Sequence, residues 1–410
     1  MKKALIWMLT VIFIISITII GVGCKEEAAE EVAEESSLAE EEAQAEEEEE
    51  AMEEEEEVAF YLQEPAPPAR DESKKRLFGG AEDESEIPIV DFMKPLVGNI
   101  NSSEWDLNIR KAKEKFVIAY GTFSQGQLAY HKIVEAGVMD AAEKFGVEVF
   151  ILDNELDAAK GIENTRLVID RGVDFYINAQ IHAETNVEIA NMLEEAGIPA
   201  IGIDVLIPGF PFHGVNNYYS NYLGGEWLGS YVSSIGWSED ETYFVYIDQV
   251  TSGEIANLRR EGAIDGVALN FSVNPENFQI IELEFGTIDA TQEKIRAWLT
   301  ANPQAEYIMV MGTQNNIALG ALAALREAGR EENAAVVGNG GVPNELIEIA
   351  DPDSAFKATP TTSPNLYGTY AINMAVDYLE GKQIPADVSS PVGMITSVNV
   401  EDFMIEFGVE

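Results

Sequence analysis

At 410 residues the chain exceeds what one hydrophobic core usually organises, so two lobes are expected once flexible parts are set aside. Apolar residues make up 46% of it, ample for buried cores, while a formal net charge of -48 repels phosphate backbones and argues against nucleic acid as a partner. The three histidines, His131, His182 and His213, are scattered, and Cys24 is the single cysteine, so neither an intrachain disulfide nor a His/Cys metal cluster is expected, and no cofactor is called for.

Lys2 and Lys3 precede an apolar run over 6–20 and small residues at Gly21 and Gly23, the layout of an export signal over 1–23. A lone cysteine directly after such a run resembles a bacterial lipoprotein lipobox, with Gly21 standing where Leu is usual. The resemblance implies that Cys24 is lipidated and becomes the mature N-terminus, holding the protein to the membrane on its extracytoplasmic side. An uncleaved anchor or an ordinary secretory signal is the other reading.

Residues 24–91 read as a tether. The stretch 26–57 holds nineteen Glu and no Lys or Arg, and Pro65, Pro67 and Pro68 follow, so like charges extend a segment with too little apolar surface to offset ordering entropy. Residues 92–115 contain Phe92, Met93, Leu96, Val97, Trp105 and Leu107, enough to dock as an ordered arm.

From Phe116 the pattern becomes regular. The uncharged run 116–120 reads as a strand buried on both faces, followed by a helix over 127–145. Strands at 147–152, 174–178 and 200–204 alternate with helices at 158–171 and 184–196, and Gly146, Gly172 and Gly197 stand where helix C-caps belong. A second array follows: helix 223–235, strand 243–247, helix 255–269, strand 279–283, helix 290–300, strand 307–311 and helix 316–328. It continues through strand 335–337, helix 344–349, strand 356–359, helix 366–379 and a strand pair near 394–400. Such alternation means parallel sheets covered on both faces. The fold class is therefore α/β, with two doubly wound parallel-sheet lobes, 116–217 plus 362–386 and 218–361 plus 387–410.

Ligands in open parallel sheets sit at the carboxyl ends of strands. Those ends carry Gly121 to Gln125, Ala179 to His182 and Asp204, then Asp248 with the segment 251–259, Gly312 to Asn316, Gly338 to Gly340, and Thr361 with Thr362. Short hydroxyls, amides and aromatics with a carboxylate and a guanidinium suit a neutral polyhydroxylated guest, since each guest hydroxyl both donates and accepts.

The tripeptide Gly202-Ile203-Asp204, the run from Thr251 through Arg259 to Gly262, and the segment Gln314-Asn-Asn-Ile-Ala-Leu-Gly-Ala-Leu322 together resemble the periplasmic binding protein type 1 family. Within it they are similar to the ribose-binding-like substrate-binding proteins of sugar ABC transporters, over roughly 116–400. The resemblance implies a hinge of three crossover strands with a sugar in the cleft between lobes. It also implies that Asp204 takes two ring hydroxyls, that Arg259 binds a hydroxyl, and that Gln314 stands where the family has Asn. Departures are Gly340 for a usual aspartate and Thr362 for a usual glutamine. The first loop is also unusual, with Gln125, Gln127, Tyr130 and His131 in a region where Asn and paired Phe are common; Thr122 and Phe123 of the same loop, with Gln125 and Tyr130, are candidate ligand contacts. Ribose itself is thereby in doubt, and Asn339 is the candidate to take over part of the missing aspartate's role.

Each residue also has a plainer reading. Asp204 could cap a turn, Arg259 or its neighbour Arg260 could serve an ion pair, and Phe123 and Tyr130 could be wall packing. His131 could be a satisfied histidine in its helix, Trp227 and Trp298 core residues, and Gly224-Gly225 a close-packing step. An enzyme is not expected, because no Gly-x-Gly-x-x-Gly follows the first strand and neither a Walker loop nor a Gly-x-Ser-x-Gly elbow appears. The expectation is a monomeric, membrane-tethered solute-binding protein that captures a monosaccharide and delivers it to an ABC permease. A sensory binding protein for a sugar or nucleoside, read by a chemoreceptor or histidine kinase, is the alternative.

Overall fold

A computed structural model describes residues 87–125 and 129–409. The export signal, Cys24, most of the tether and Gln127 lie outside the described residues.

The first lobe is built on β1 (Val117–Thr122), β2 (Glu148–Asp153), β3 (Phe175–Asn178), β4 (Ala200–Ile203), β5 (Phe212–Gly214) and β11 (Asp387–Ser389). They form one sheet in the order β11-β5-β4-β3-β1-β2, every neighbouring pair parallel. The second lobe uses β6 (Thr242–Gln249), β7 (Phe278–Leu283), β8 (Tyr307–Gly312), β9 (Ala334–Val337), β10 (Phe356–Thr361) and β12 (Gly393–Thr396), in the order β12-β10-β9-β8-β6-β7. There only β12 runs antiparallel, against β10. In both sheets a strand early in the lobe, β1 or β6, lies between its two successors. The chain therefore winds outward in opposite directions and opens a crevice at the carboxyl ends.

The expected alternation holds because the central strand runs are apolar and the first-lobe helices end where a glycine can turn. Helix α1 (Ala129–Phe145), α2 (Ala158–Arg171) and α3 (Ala183–Ala196) cover the first sheet. Gly172 and Gly197 close α2 and α3 at φ 61 and 67, with their N–H groups returned to carbonyls of the last turn.

Helix α4 (Asn217–Ser234) begins six residues before the expected 223, because the Asn216 side chain accepts from Tyr219 N and starts the helix at once. It packs closely on α5 (Glu254–Asn270): a Cβ at Gly225 would meet the Ala263 carbonyl at 2.3 Å. That approach is the physical role of Gly225, while its neighbour Gly224 lies against Met311, Val337 and Pro360 of the second sheet. The remaining helices are α6 (Ile288–Ala301), α7 (Asn315–Glu327), α8 (Pro343–Ala350), α9 (Pro364–Leu379) and α10 (Val400–Glu406).

Three features depart from the sequence expectation. Strand β5 is hidden in the sequence among Pro208, Gly209 and Pro211. The strand pair expected near 394–400 is instead β11 and β12, which separate into different sheets. Because β11 pairs with β5, residues 387–389 belong to the first lobe, past the expected boundary at 386. The chain thus crosses between lobes three times, after β5, after β10 and between β11 and β12.

Candidate functional site

Asp204 follows β4 in left-handed backbone, φ 59, a conformation that Asp tolerates better than most residues. Its amide donates to the His213 carbonyl at 3.0 Å, and the turn folds its carboxylate back over Gly214, where an added Cβ would sit 3.5 Å from Oδ1. Two phenols converge on it. Tyr130, in the first turn of α1, donates to Oδ2 at 3.1 Å, and Tyr367, in the first turn of α9, donates to Oδ1 at 2.7 Å. Their rings meet edge to face at 6.1 Å. Burial pushes the Asp204 carboxyl above its ordinary range, opposed by the Tyr367 hydroxyl, the Arg259 charge and the Tyr130 hydroxyl. Burial, with the Asp204 charge added, holds both phenols well above their usual range, so they stay protonated donors.

From the second lobe comes Arg259, on α5. Its Nε donates to Asn217 Oδ1 at 2.7 Å and its Nη1 to the Thr313 carbonyl, leaving further guanidinium N–H groups for a guest. Asp204 stands at the carboxyl end of β4 and Arg259 is tied to the Thr313 carbonyl just past the carboxyl end of β8, so acid and base lie at the carboxyl ends of the two sheets. Its neighbour Arg260 instead pairs with the buried Asp248, which separates the roles of the two adjacent arginines.

Asn339 belongs to the same wall. Its Nδ2 donates to the Thr313 carbonyl at 3.3 Å and its Oδ1 accepts from Ser220 at 3.3 Å. Gln314 is placed differently. It caps α7, accepting from Asn316 N at 3.3 Å, and its Nε2 donates to Gln249 Oε1 at 3.1 Å and to the Gly286 carbonyl at 2.8 Å. Its amide is thus spent on the loops of its own lobe.

In the first loop Thr122 is fully buried, Gln125 is exposed, and Phe123 stacks on His131 at 5.1 Å. His131 Nδ1 lies 2.7 Å from Ser124 Oγ, and burial lowers its pKa to about 4, so the ring is neutral. Thr362 is buried on the second crossover, its hydroxyl donating to the Gly340 carbonyl at 3.3 Å and standing beside the Tyr130 hydroxyl.

Under Gly340 lies an acid that the sequence did not single out. Glu345 is fully buried and accepts from Asn339 N at 3.1 Å, Val342 N at 3.0 Å and Thr359 Oγ1 at 3.2 Å. A Cβ at Gly338 would stand 2.0 Å from its Oε1 and one at Gly340 3.2 Å from its Oε2, so these glycines admit the carboxyl. Burial outweighs those donors and pushes Glu345 up to about 7. It shapes the loop that presents Asn339. Nor does the sequence single out Tyr367, Asn217 or Ser220: Tyr367 sits within a helical pattern that reads as packing, and Asn217 and Ser220 lie ahead of the helix expected from 223. For Tyr367 the available signal was its place, a few residues beyond the carboxyl end of β10.

At the rim the lobes touch. His182 meets Phe285 edge to face at 5.9 Å, and a Cβ on Gly253 would lie 3.6 Å from Ala183 Cβ.

The profile of a family described as periplasmic binding protein domain matches residues 120–383, more than half of the chain. Among curated relatives, a ribose import binding protein of Salmonella typhimurium is 25% identical over 253 residues, spanning 61% of this chain and 80% of the relative. That of Bacillus subtilis is 24% identical over 269 residues, spanning 64% and 82%. Among solved structures, an ABC transporter solute-binding protein from Mycobacterium smegmatis with bound glycerol is similar with a TM-score of 0.61 and 23% identity, covering 70% of this chain and 96% of the other. A periplasmic solute-binding protein from Actinobacillus succinogenes 130z with bound D-allose gives a TM-score of 0.62 at 18% identity, covering 70% and 100%.

Proposed function

The chain belongs to the periplasmic binding protein domain family, and from that premise we propose that it is an extracytoplasmic solute-binding protein that captures a monosaccharide between its lobes and delivers it to an ABC permease. The observation that carries this reading is the placement of Asp204 at the carboxyl end of a first-lobe strand and of Arg259 beside the carboxyl end of a second-lobe strand, where it is tied to the Thr313 carbonyl. A carboxylate with free acceptor positions facing a guanidinium with free donors suits a guest whose hydroxyls do both, and the opposed charges leave no net charge for an ionic guest to answer.

Asp204 and Tyr130 take ring hydroxyls in this proposal, Arg259 and Asn339 answer from the opposite wall, and Phe123 offers its face to the apolar side of the ring. Thr122, Gln125, Gln314 and Thr362 complete the lining, Gln314 chiefly by holding its loop. A guest that touches both walls only when the lobes are together shifts the hinge toward closure, and the permease reads the closed shape. Lipidated Cys24 and the acidic tether hold a monomer near the permease.

Thermal unfolding of the protein with D-ribose, D-allose, myo-inositol and nucleosides tests the ligand class. A ligand at about 100 times its Kd adds about 2.7 kcal/mol to stability, a shift easily read in the melt. If nucleosides alone stabilise the protein, or none of these compounds does, the monosaccharide reading fails.

A further inference from the structure

Residues 87–115 precede the matched family region 120–383. We propose that this arm is a positioning clamp that sets Tyr367 against Asp204, by gripping from outside the two segments that carry them. The proposal deepens the cleft reading and takes from it that Asp204 faces the guest.

The first grip is on the loop that leaves Asp204. Val90 N donates to the Gly209 carbonyl at 2.8 Å, Phe92 meets Phe210 edge to face at 6.3 Å, and Met93 is fully buried beside them in the first-lobe core. A middle contact follows, where Ile384 N donates to Leu96 O at 2.8 Å and Gly98 N to Ile384 O at 3.1 Å, fixing the approach to β11.

The second grip is on α9. Trp105 Nε1 donates to Asp377 Oδ2 at 3.1 Å, Arg110 Nη2 to Asp377 Oδ1 at 2.6 Å and Glu380 Oε2 at 2.9 Å, and Asn108 N to Asn373 Oδ1 at 3.3 Å. These partners all belong to the first lobe, and Asp377 and Glu380 lie at the far end of α9 from Tyr367. Charged hydrogen bonds to largely buried carboxylates are among the stronger polar contacts, so this end of the helix is firmly held.

A continuous set of ring contacts joins the arm to the site. Trp105 packs on Tyr370 at 6.4 Å, Tyr370 stacks on His213 at 5.2 Å, and His213 meets Tyr367 at 4.8 Å. His213 is a fixed wedge: it is fully buried, and its Nδ1 lies 3.0 Å from the Val388 carbonyl. A carbonyl only accepts, so Nδ1 carries the proton, and the ring cannot turn without losing that bond. The backbone of His213 also receives the Asp204 amide. Moving the Trp105 end of α9 therefore shifts Tyr370 against a wedge that holds both Tyr367 and Asp204.

The test uses the full chain with Trp105→Ala, the conservative Trp105→Phe, Tyr367→Phe, and the double variant Trp105→Ala/Tyr367→Phe. Without ligand, Trp105→Ala is expected to speed amide exchange at Asp204 and at Tyr370 about fivefold or more while β8 and β9 keep their rates, and Trp105→Phe, which keeps a ring on Tyr370, is expected to restore much of the protection. With D-ribose as the probe, Trp105→Ala is expected to weaken binding about fivefold in the wild-type background but less than about twofold when Tyr367 is already Phe, since both act through one contact. Unchanged exchange at Asp204, or a uniform increase over both lobes, overturns the clamp, and so do penalties that simply multiply. If D-ribose fails to bind the wild-type protein, that result counts against ribose as the guest, and the exchange pattern alone decides the clamp.

Discussion

Replacing Asp204 with Asn keeps the side-chain shape and the left-handed backbone, φ 59, that Asn adopts as readily as Asp, so the change falls on charge and hydrogen bonding. The carboxylate already takes the Tyr130 and Tyr367 hydroxyls at 3.1 and 2.7 Å, which leaves about two of its roughly four acceptor positions for a guest. An amide retains one acceptor oxygen and turns an NH2 toward a hydroxyl that had been a donor. One guest bond to a charged acceptor is then lost, worth about 1.5 to 3 kcal/mol, and a second weakens to a neutral bond. The expected loss is about 2 to 4 kcal/mol, or roughly 30- to 800-fold in Kd.

Isothermal titration with whichever sugar most raises the melting temperature measures it, and circular dichroism confirms the fold. The folded state itself is expected to tolerate the change, since burial already disfavours the charged form of this carboxyl. An Asp204→Asn protein that is folded and binds within about twofold of wild type would refute the assignment of Asp204 to the guest.

Glu345 gives a pH signature. Its folded pKa of about 7 lies above the ordinary 4.5, so the folded state holds the proton more tightly, and this group adds stability below pH 4.5 that is lost as pH rises toward 7. The contribution is at most about 3 kcal/mol. Melting curves over that range should show Glu345→Gln with a flatter pH dependence than wild type, and parallel curves would show that the carboxyl titrates elsewhere. For the proposed anchor, Cys24→Ala should abolish incorporation of radiolabelled palmitate and release the protein from membranes. Retention of both would mean that another segment holds it.

The alternation of strands and helices was legible because local signals agree with one another. Runs such as 116–120 lack charge where a central strand needs it absent, and Gly172 and Gly197 stand where a left-handed cap needs no Cβ. Asp204 and Arg259 stood out as candidates for a related reason: Asp204 directly follows a strand, and the motifs around both resemble a known family. That Arg259 and Arg260 divide the work is a possibility the sequence offers, but nothing in adjacent identical residues says which one faces Asp248.

What only the tertiary structure decided are the partners brought from far along the chain. Tyr367 lies 163 residues from Asp204 and occupies one of that acid's acceptor positions, inside a helix whose sequence reads as ordinary packing. Glu345 looks in sequence like a surface residue of a short amphipathic helix, yet Gly338 and Gly340 open the space that buries it. Gln314 matches a ligand position by motif, while its amide is satisfied by Gln249 and Gly286, neither of them near it in sequence. Sequence patterns report the periodicity of an element and the conformational demands of its ends, since both are local. Which polar group answers which is fixed by closing the chain on itself, and for that the three crossings between lobes and the path of the arm had to be known.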